Sequence, residues 1–191
     1  MSRIIRDIPY YQKSDGGITI SGGECLCQKD FTLALLKECK RYGIHTAVDT
    51  TGYVPWESIE EILPHTDLFL YDLKCMNDNM HEQVIGVSNK RILDNALRIA
   101  KAVGKFHIRY PFIPMFNDSN EAIEATGAFC QKLGDAVDLV QILPYHSYGI
   151  TKRIRIRGED NHVFEAIPPS EETVEQCKSK LEAFGLKVVI H

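Results

Sequence analysis

A chain of 191 residues, 44% hydrophobic and 25% charged, has the material for one soluble domain with a sizeable core. Its net charge is only −4, and its Lys and Arg are scattered except for the alternating Arg153, Arg155 and Arg157. This excludes the electrostatic footprint of a nucleic-acid binder, and the triplet reads as a solvated strand edge. No apolar run is long enough for a membrane span and the N-terminus lacks a secretory apolar core, so no membrane association and a cytoplasmic location are expected.

The hydrophobic pattern alternates between short strand-like runs and helical periods. A first strand is predicted over Gly17 to Ser21, running into Gly22-Gly23-Glu24, where missing side chains let a ligand lie against the backbone. Asp30 is placed to cap a helix with Phe31, Ala34, Leu35 and Cys39 on one face, ending near Gly43. A strand over His45 to Asp49, a weaker helix from Glu57 stopping before Pro64, and a strand over Asp67 to Asp72 follow. Ser88 or Asn89 opens a helix that buries Ile92, Leu93, Ala96, Ile99, Ala100 and Val103 and ends at Gly104. Next come a strand over Phe106 to Tyr110, a helix over Ser119 to Leu133 and a strand over Leu139 to Leu143. Pro168-Pro169-Ser170 precedes a helix burying Val174, Cys177, Leu181 and Phe184, and Lys187 to Ile190 forms a last short run. The alternation implies parallel strands joined by right-handed crossovers, hence an α/β barrel or a doubly wound sheet. Five β/α units are too few to close an eight-stranded barrel, and no linker divides residues 1–191.

Either architecture binds ligands beyond the carboxyl ends of its strands. Those ends read Gly22-Gly23-Glu24, Asp49-Thr50-Thr51-Gly52, Tyr71-Asp72-Leu73-Lys74, Arg109-Tyr110 and Pro144-Tyr145-His146. Each alone has an ordinary explanation: a capped turn at Thr50 or Thr51, a surface pair of Asp72 with Lys74, a bridge from Arg109 to Asp72, a core niche for His146. Together they suit a zwitterionic, partly cationic ligand. Glu24 and nearby backbone carbonyls can accept from an ammonium group, and Lys74, Arg109 or His146 can hold a carboxylate. Asp49 and Asp72 add negative charge for a sulfonium or a monovalent cation. A Schiff-base role for Lys74 is disfavoured, because such a lysine needs surroundings free of negative charge and Asp72 stands two residues away. The six cysteines are spread over the chain and read as reduced thiols; no C-x-x-C or C-x-x-x-C-x-x-C occurs, so spacing defines no zinc or iron-sulfur ligand set.

The runs Gly16 to Glu24, Gly43 to Thr50, Asp72-Leu73-Lys74, Gly86-Val87-Ser88-Asn89 and Leu143 to Gly149, in this order, resemble the activating enzymes of glycyl radical enzymes within the radical S-adenosylmethionine superfamily. The resemblance covers essentially the whole chain. It implies an incomplete (β/α)6 partial TIM barrel in which Gly22, Gly23 and Glu24 hold the methionine end of S-adenosylmethionine. Asp49, Thr50, Asp72, Lys74, Met76, Asn77, Asp78, Arg109 and His146 match family positions lining the cofactor, cation or peptide site. It further implies a 4Fe-4S cluster that cleaves the sulfonium after reduction by a donor such as flavodoxin. The resulting 5′-deoxyadenosyl radical takes a hydrogen atom from a glycine of a partner enzyme of the pyruvate formate-lyase type.

Two departures bear on this expectation. The family's cluster motif follows its first barrel strand, and here only about twenty residues precede Gly22. The first strand and the cluster ligands are therefore expected to be missing, the chain alone to be inactive, and its exposed flank to favour self-association. Cys25 stands where the family has proline, which should loosen that turn. Cys25 and Cys27 read as small buried hydrophobes rather than replacement ligands. A non-catalytic module binding S-adenosylmethionine or a partner is the alternative.

Overall fold

The computed structural model describes residues 1–102, 104–146 and 166–191. Val103, the Arg153, Arg155 and Arg157 triplet, and the Ser147-Tyr148-Gly149 end of the last motif lie outside the described residues.

Strand-forming runs rich in β-branched and aromatic residues pair in the order in which they occur. Among the described residues, β1 (Gly17–Ile20), β2 (His45–Thr50), β3 (Leu68–Asp72), β4 (Phe106–Phe112), β5 (Val137–Pro144) and β6 (Val188–Ile190) form one sheet in sequential order. Every pairing is parallel. Each crossover therefore steps one strand in the same direction, which builds an α/β barrel wall. β1 and β6 are its edges, so the wall is incomplete. The connections are α3 (Lys29–Arg41), α4 (Trp56–Ile62), α5 (Asp78–Ile85), α6 (Lys90–Lys101), α7 (Asn120–Leu133) and α8 (Glu171–Glu182), with α1 (Ser2–Arg6) and α2 (Ile8–Ser14) ahead of the sheet.

Side chains alternate across the sheet, and burial alternates with them. Phe69 and Tyr71 of β3, Phe106, Ile108, Tyr110 and Phe112 of β4, and Val140 and Ile142 of β5 are buried. They share one core cluster with Leu36, Ile59, Ile99, Cys130 and Leu181 from the helices. The residues between them, among them Asp49, Leu70, Asp72, His107, Arg109 and Gln141, are half-buried on the inner face. One face thus carries the hydrophobic stabilisation and leaves the other free to be polar.

Several local expectations need correction. Asp30 lies inside the first turn of α3, and Gln28 occupies the cap position. Thr32, Leu36 and Cys39 face inward, whereas Ala34 is exposed and Phe31 is 65% exposed. The cause is a 3₁₀ turn over Cys25–Gln28 that leads directly into the helix. The Thr32 hydroxyl donates to the Cys25 carbonyl at 2.9 Å, which fixes the rotation one residue from the expected face. α1, α2 and α5 were not expected; the first two bury no residue, so their apolar pattern is weak. Phe184 is half-buried, and its ring fills the space that a side chain at Gly127 would need.

Gly52, just past β2, adopts φ +70°, and a Cβ there would lie 1.8 Å from the Tyr71 hydroxyl oxygen. Gly43 has φ +65° but open space within 4 Å of the same added atom. Gly43→Ala should therefore cost only the left-handed backbone penalty of about 1–2 kcal/mol. Gly52→Ala adds a clash with a fixed ring and should cost about 4 kcal/mol or more. Equal losses in thermal unfolding of the two variants would contradict this reading of the Tyr71 contact.

Candidate functional site

The carboxyl ends of β2, β3 and β4 bring opposite charges together on the inner face. Arg109 Nη1 lies 2.7 Å from Asp49 Oδ1, and Arg109 Nε lies 3.8 Å from Asp72 Oδ1. Lys74 Nζ is 2.7 Å from Asp72 Oδ2, and the Ser21 hydroxyl donates to Asp49 Oδ2 at 2.8 Å. All four charged side chains are between 21% and 29% exposed, so their formal charges, which sum to zero, are only partly screened by water. Asp72 Oδ1 is buried and accepts no hydrogen bond among the described residues. It is a carboxylate oxygen with bonding capacity to spare.

Beside this network the chain bares its backbone. Gly22 and Gly23 have φ of +109° and +55°, and a Cβ at either would meet nothing within 4 Å. The loop is held down by Glu24, whose carboxylate accepts from the Thr50 hydroxyl at 2.8 Å, from the Thr51 amide at 2.9 Å and from the Thr51 hydroxyl at 2.8 Å. It also accepts from the Leu26 amide at 3.3 Å. Glu24 and Thr50 therefore act as a clamp between the first and second strand ends.

Cys25 strengthens the clamp. Burial, with the Glu24 and Asp49 charges adding to it, pushes its thiol up to about 12. It stays protonated and lies 3.5 Å from the Asp49 carbonyl as a hydrogen-bond donor. The turn expected to be loose is thus tied to β2. Cys27 is exposed, contrary to expectation, because the 3₁₀ turn carries it outward.

Three buried asparagines hold the remaining loops; Asn89 stands at the cap position expected of Ser88 or Asn89, whereas Asn95 and Asn117 were passed over. Asn117 donates through Nδ2 to the Lys74 and Pro111 carbonyls, each at 2.6 Å, and accepts from the Ile113 amide at 2.7 Å. Its own carbonyl accepts from the Tyr110 hydroxyl. Asn89 donates to the Cys75 and Met76 carbonyls, and Asn95 to the Gly52 and Val54 carbonyls. Asn95 had a signal: it interrupts the apolar face formed by Ile92, Ala96 and Ile99, and a buried amide needs partners.

Met76 and Asn77 fall in the β3–α5 connection and Asp78 opens α5. Asn77 caps α5 by accepting from the Met80 amide at 3.0 Å. Asp78 accepts from the Ser88 hydroxyl at 2.6 Å and the Asn89 amide at 2.9 Å. Those bonds, the Ser88 one foremost, and Lys90 bring its carboxyl down to about 2. Met76 and Asn77 line a neighbouring cavity of about 400 Å³ with Cys75, Met80 and Phe116. His146 is exposed, two residues beyond β5.

A profile of the radical SAM superfamily matches residues 1–126. The chain is 37% identical over 191 residues to the pyruvate formate-lyase 1-activating enzyme of Escherichia coli strain K12, covering 99% of this chain and 77% of that protein. It is 44% identical over 149 residues to the isethionate sulfite-lyase activating enzyme of Nitratidesulfovibrio vulgaris, covering 77% of this chain and 48% of that one. Among solved structures it is similar to a domain of pyruvate-formate lyase-activating enzyme from Bacteroides vulgatus. There the TM-score is 0.77 at 34% identity, over 92% of this chain and 99% of that one.

Asn117→Ala leaves two carbonyls and one amide without partners, each worth about 1–3 kcal/mol when buried. The variant should lose about 3 kcal/mol or more in denaturant unfolding and show faster amide exchange at Ile113. A loss below about 1 kcal/mol would mean that water replaces the amide.

Proposed function

This chain belongs to the radical SAM superfamily, in its branch of glycyl radical enzyme activating enzymes, and from that premise we propose that its inner-face mouth binds S-adenosylmethionine. The partner acted upon is then a glycyl radical enzyme of the pyruvate formate-lyase type, a reading supported by the 37% identity to a pyruvate formate-lyase 1-activating enzyme. The reading is carried by one observation: the Asp49–Arg109–Asp72–Lys74 network lies beside a glycine loop whose outer side is open.

The residues fit the cofactor. The uncovered backbone of Gly22 and Gly23 offers carbonyl acceptors to its ammonium group, and Asp49 and Asp72 offset its sulfonium charge. Arg109 or Lys74 can turn from these carboxylates to its carboxylate, Arg109 with a two-pronged grip. The spare acceptor on Asp72 Oδ1 suits a donor or cation arriving with the ligand. When bound beside a reduced 4Fe-4S cluster, S-adenosylmethionine supplies the radical chemistry of this family. The cluster itself does not fit these 191 residues, which contain no C-x-x-x-C-x-x-C. A module that binds the cofactor or the partner without catalysis is the second reading. Electron delivery by a flavodoxin-type donor and self-association through the edges at β1 and β6 belong to the same proposal.

Calorimetric titration with S-adenosylmethionine should give saturable binding, with S-adenosylhomocysteine, which lacks the sulfonium charge, weaker. Arg109→Ala leaves Asp49 and Asp72 facing each other without their cation and should weaken binding about tenfold or more, about 1.4 kcal/mol. Absence of saturable binding would refute the proposal. Anaerobic iron and sulfide reconstitution should give no stoichiometric cluster on these 191 residues, and a stoichiometric one would contradict the reading that they hold no ligand set.

A further inference from the structure

The connections that follow β3 and β4 carry apolar side chains out to the surface around one cavity. Met76 and Met80 line this space of about 400 Å³ together with Cys75, Phe116 and, from α7, Ala125. Met80 and Val84 stand four residues apart on α5, hence on one face, and Val84 is exposed. Met115, the residue before Phe116, is 79% exposed. Single apolar residues on a surface need no explanation, but these border the same opening.

Met115 is also held in an unfavourable conformation. Its φ is +66°, and among the described residues Asp15 is the one other non-glycine with a positive φ. Glycine or asparagine would adopt this backbone at lower cost. The loop is pinned on both sides of the residue's exposed side chain: Asp118 Oδ1 accepts from the Met115 amide at 2.9 Å, and Asn117 Oδ1 accepts from the Ile113 amide at 2.7 Å. Neither burial nor backbone preference accounts for a methionine here, whereas an unbranched, polarizable side chain adapts well to a partner's surface.

The cavity adjoins the charged mouth. Cys75 follows Lys74 directly, and Phe116 precedes Asn117, whose amide donates to the Lys74 carbonyl at 2.6 Å. Of the residues lining the cavity only Glu121 is charged. Its own backbone amide, and then the Ser119 hydroxyl, bring its carboxyl below the usual range, so it is ionised at neutral pH. The lining therefore complements an apolar side chain with a lysine or arginine beside it.

We propose that this cavity, with the Met80–Val84 face and Met115 beside it, is a docking site outside the mouth for a segment of the glycyl radical enzyme that carries an apolar side chain next to a basic one. The inference rests on the partner reading above. An enzyme whose glycine reacts in the mouth must lay its chain over this end of the sheet, so the docking surface is continuous with the place of reaction. The apolar side chain fills the cavity as an anchor, and the exposed residues around it exclude water from the contact. A small molecule confined to the cavity would leave Val84 and Met115 uncovered.

Two variants test this without touching the charge network. Ala125 is exposed on α7, and Ala125→Arg drives a long cation into the cavity at little cost in helix propensity. Met115→Asn removes the apolar group and suits the left-handed backbone. Binding to immobilised pyruvate formate-lyase is followed by interferometry in the presence of S-adenosylmethionine, cofactor affinity by calorimetry, and self-association by sedimentation velocity. The unsubstituted chain should bind pyruvate formate-lyase, and both variants should bind it about tenfold or more weakly. Both should keep S-adenosylmethionine affinity within about twofold and the parent's melting temperature. If the chain binds S-adenosylmethionine but not pyruvate formate-lyase, or the variants bind that enzyme as the parent does, the docking site falls and the cofactor reading stands. If the chain binds neither, both fall. Self-association lost in the variants, with pyruvate formate-lyase binding unchanged, would assign the surface to a second copy of this chain and overturn the inference.

Discussion

One guanidinium decides whether this mouth can exist. Asp49 and Asp72 project from adjacent strands onto a half-buried face, where two carboxylates alone would repel each other and forfeit hydration. Arg109, one strand further on, lies within ion-pair distance of both, and Lys74 covers the second oxygen of Asp72. The four charges cancel formally, so the cluster can be assembled before any ligand arrives. What remains uncompensated is local: a buried oxygen of Asp72 without a hydrogen-bond partner.

That balance is useful only if the strand ends keep their places, and the loops beyond them have no ladder to satisfy their carbonyls. Side chains do this work. Glu24 binds the first strand end to the second through Thr50 and Thr51. Asn95 holds the second loop, Asn89 the third, and Asn117 joins the third to the fourth. Each amide is buried and satisfies carbonyls that would otherwise be stranded. The mouth is consequently a stitched rim, its strand ends fixed by buried side chains bonded to the loop carbonyls.

The order of strands and the polarity of their ends were legible because a parallel sheet with one helix-covered face imposes a strict alternation, clearest along Phe106–Phe112. The orientation of α3 was not, since it is set by a single hydroxyl-to-carbonyl bond from Thr32 to Cys25 across a 3₁₀ turn, and no periodicity records such a bond. Glu24 illustrates a different gap. Its charge beside two glycines stood out, while the Thr50 and Thr51 donors that it binds come from a strand end read separately. The partners of Asn117 and Asn89 were illegible for a related reason: both sit where asparagine ordinarily makes a turn or a cap, and only the tertiary fold reveals which carbonyls they reach.

The most direct test of a single cofactor cradle at the carboxyl ends is an amide NMR titration of the chain with S-adenosylmethionine. The largest shifts should fall at Gly22, Gly23, Asp49, Leu73 and Arg109. Shifts confined to the opposite end of the sheet, around the cavity of about 540 Å³ lined by Asp15, His45, Lys105 and Asp138, would place the ligand elsewhere and contradict the assignment.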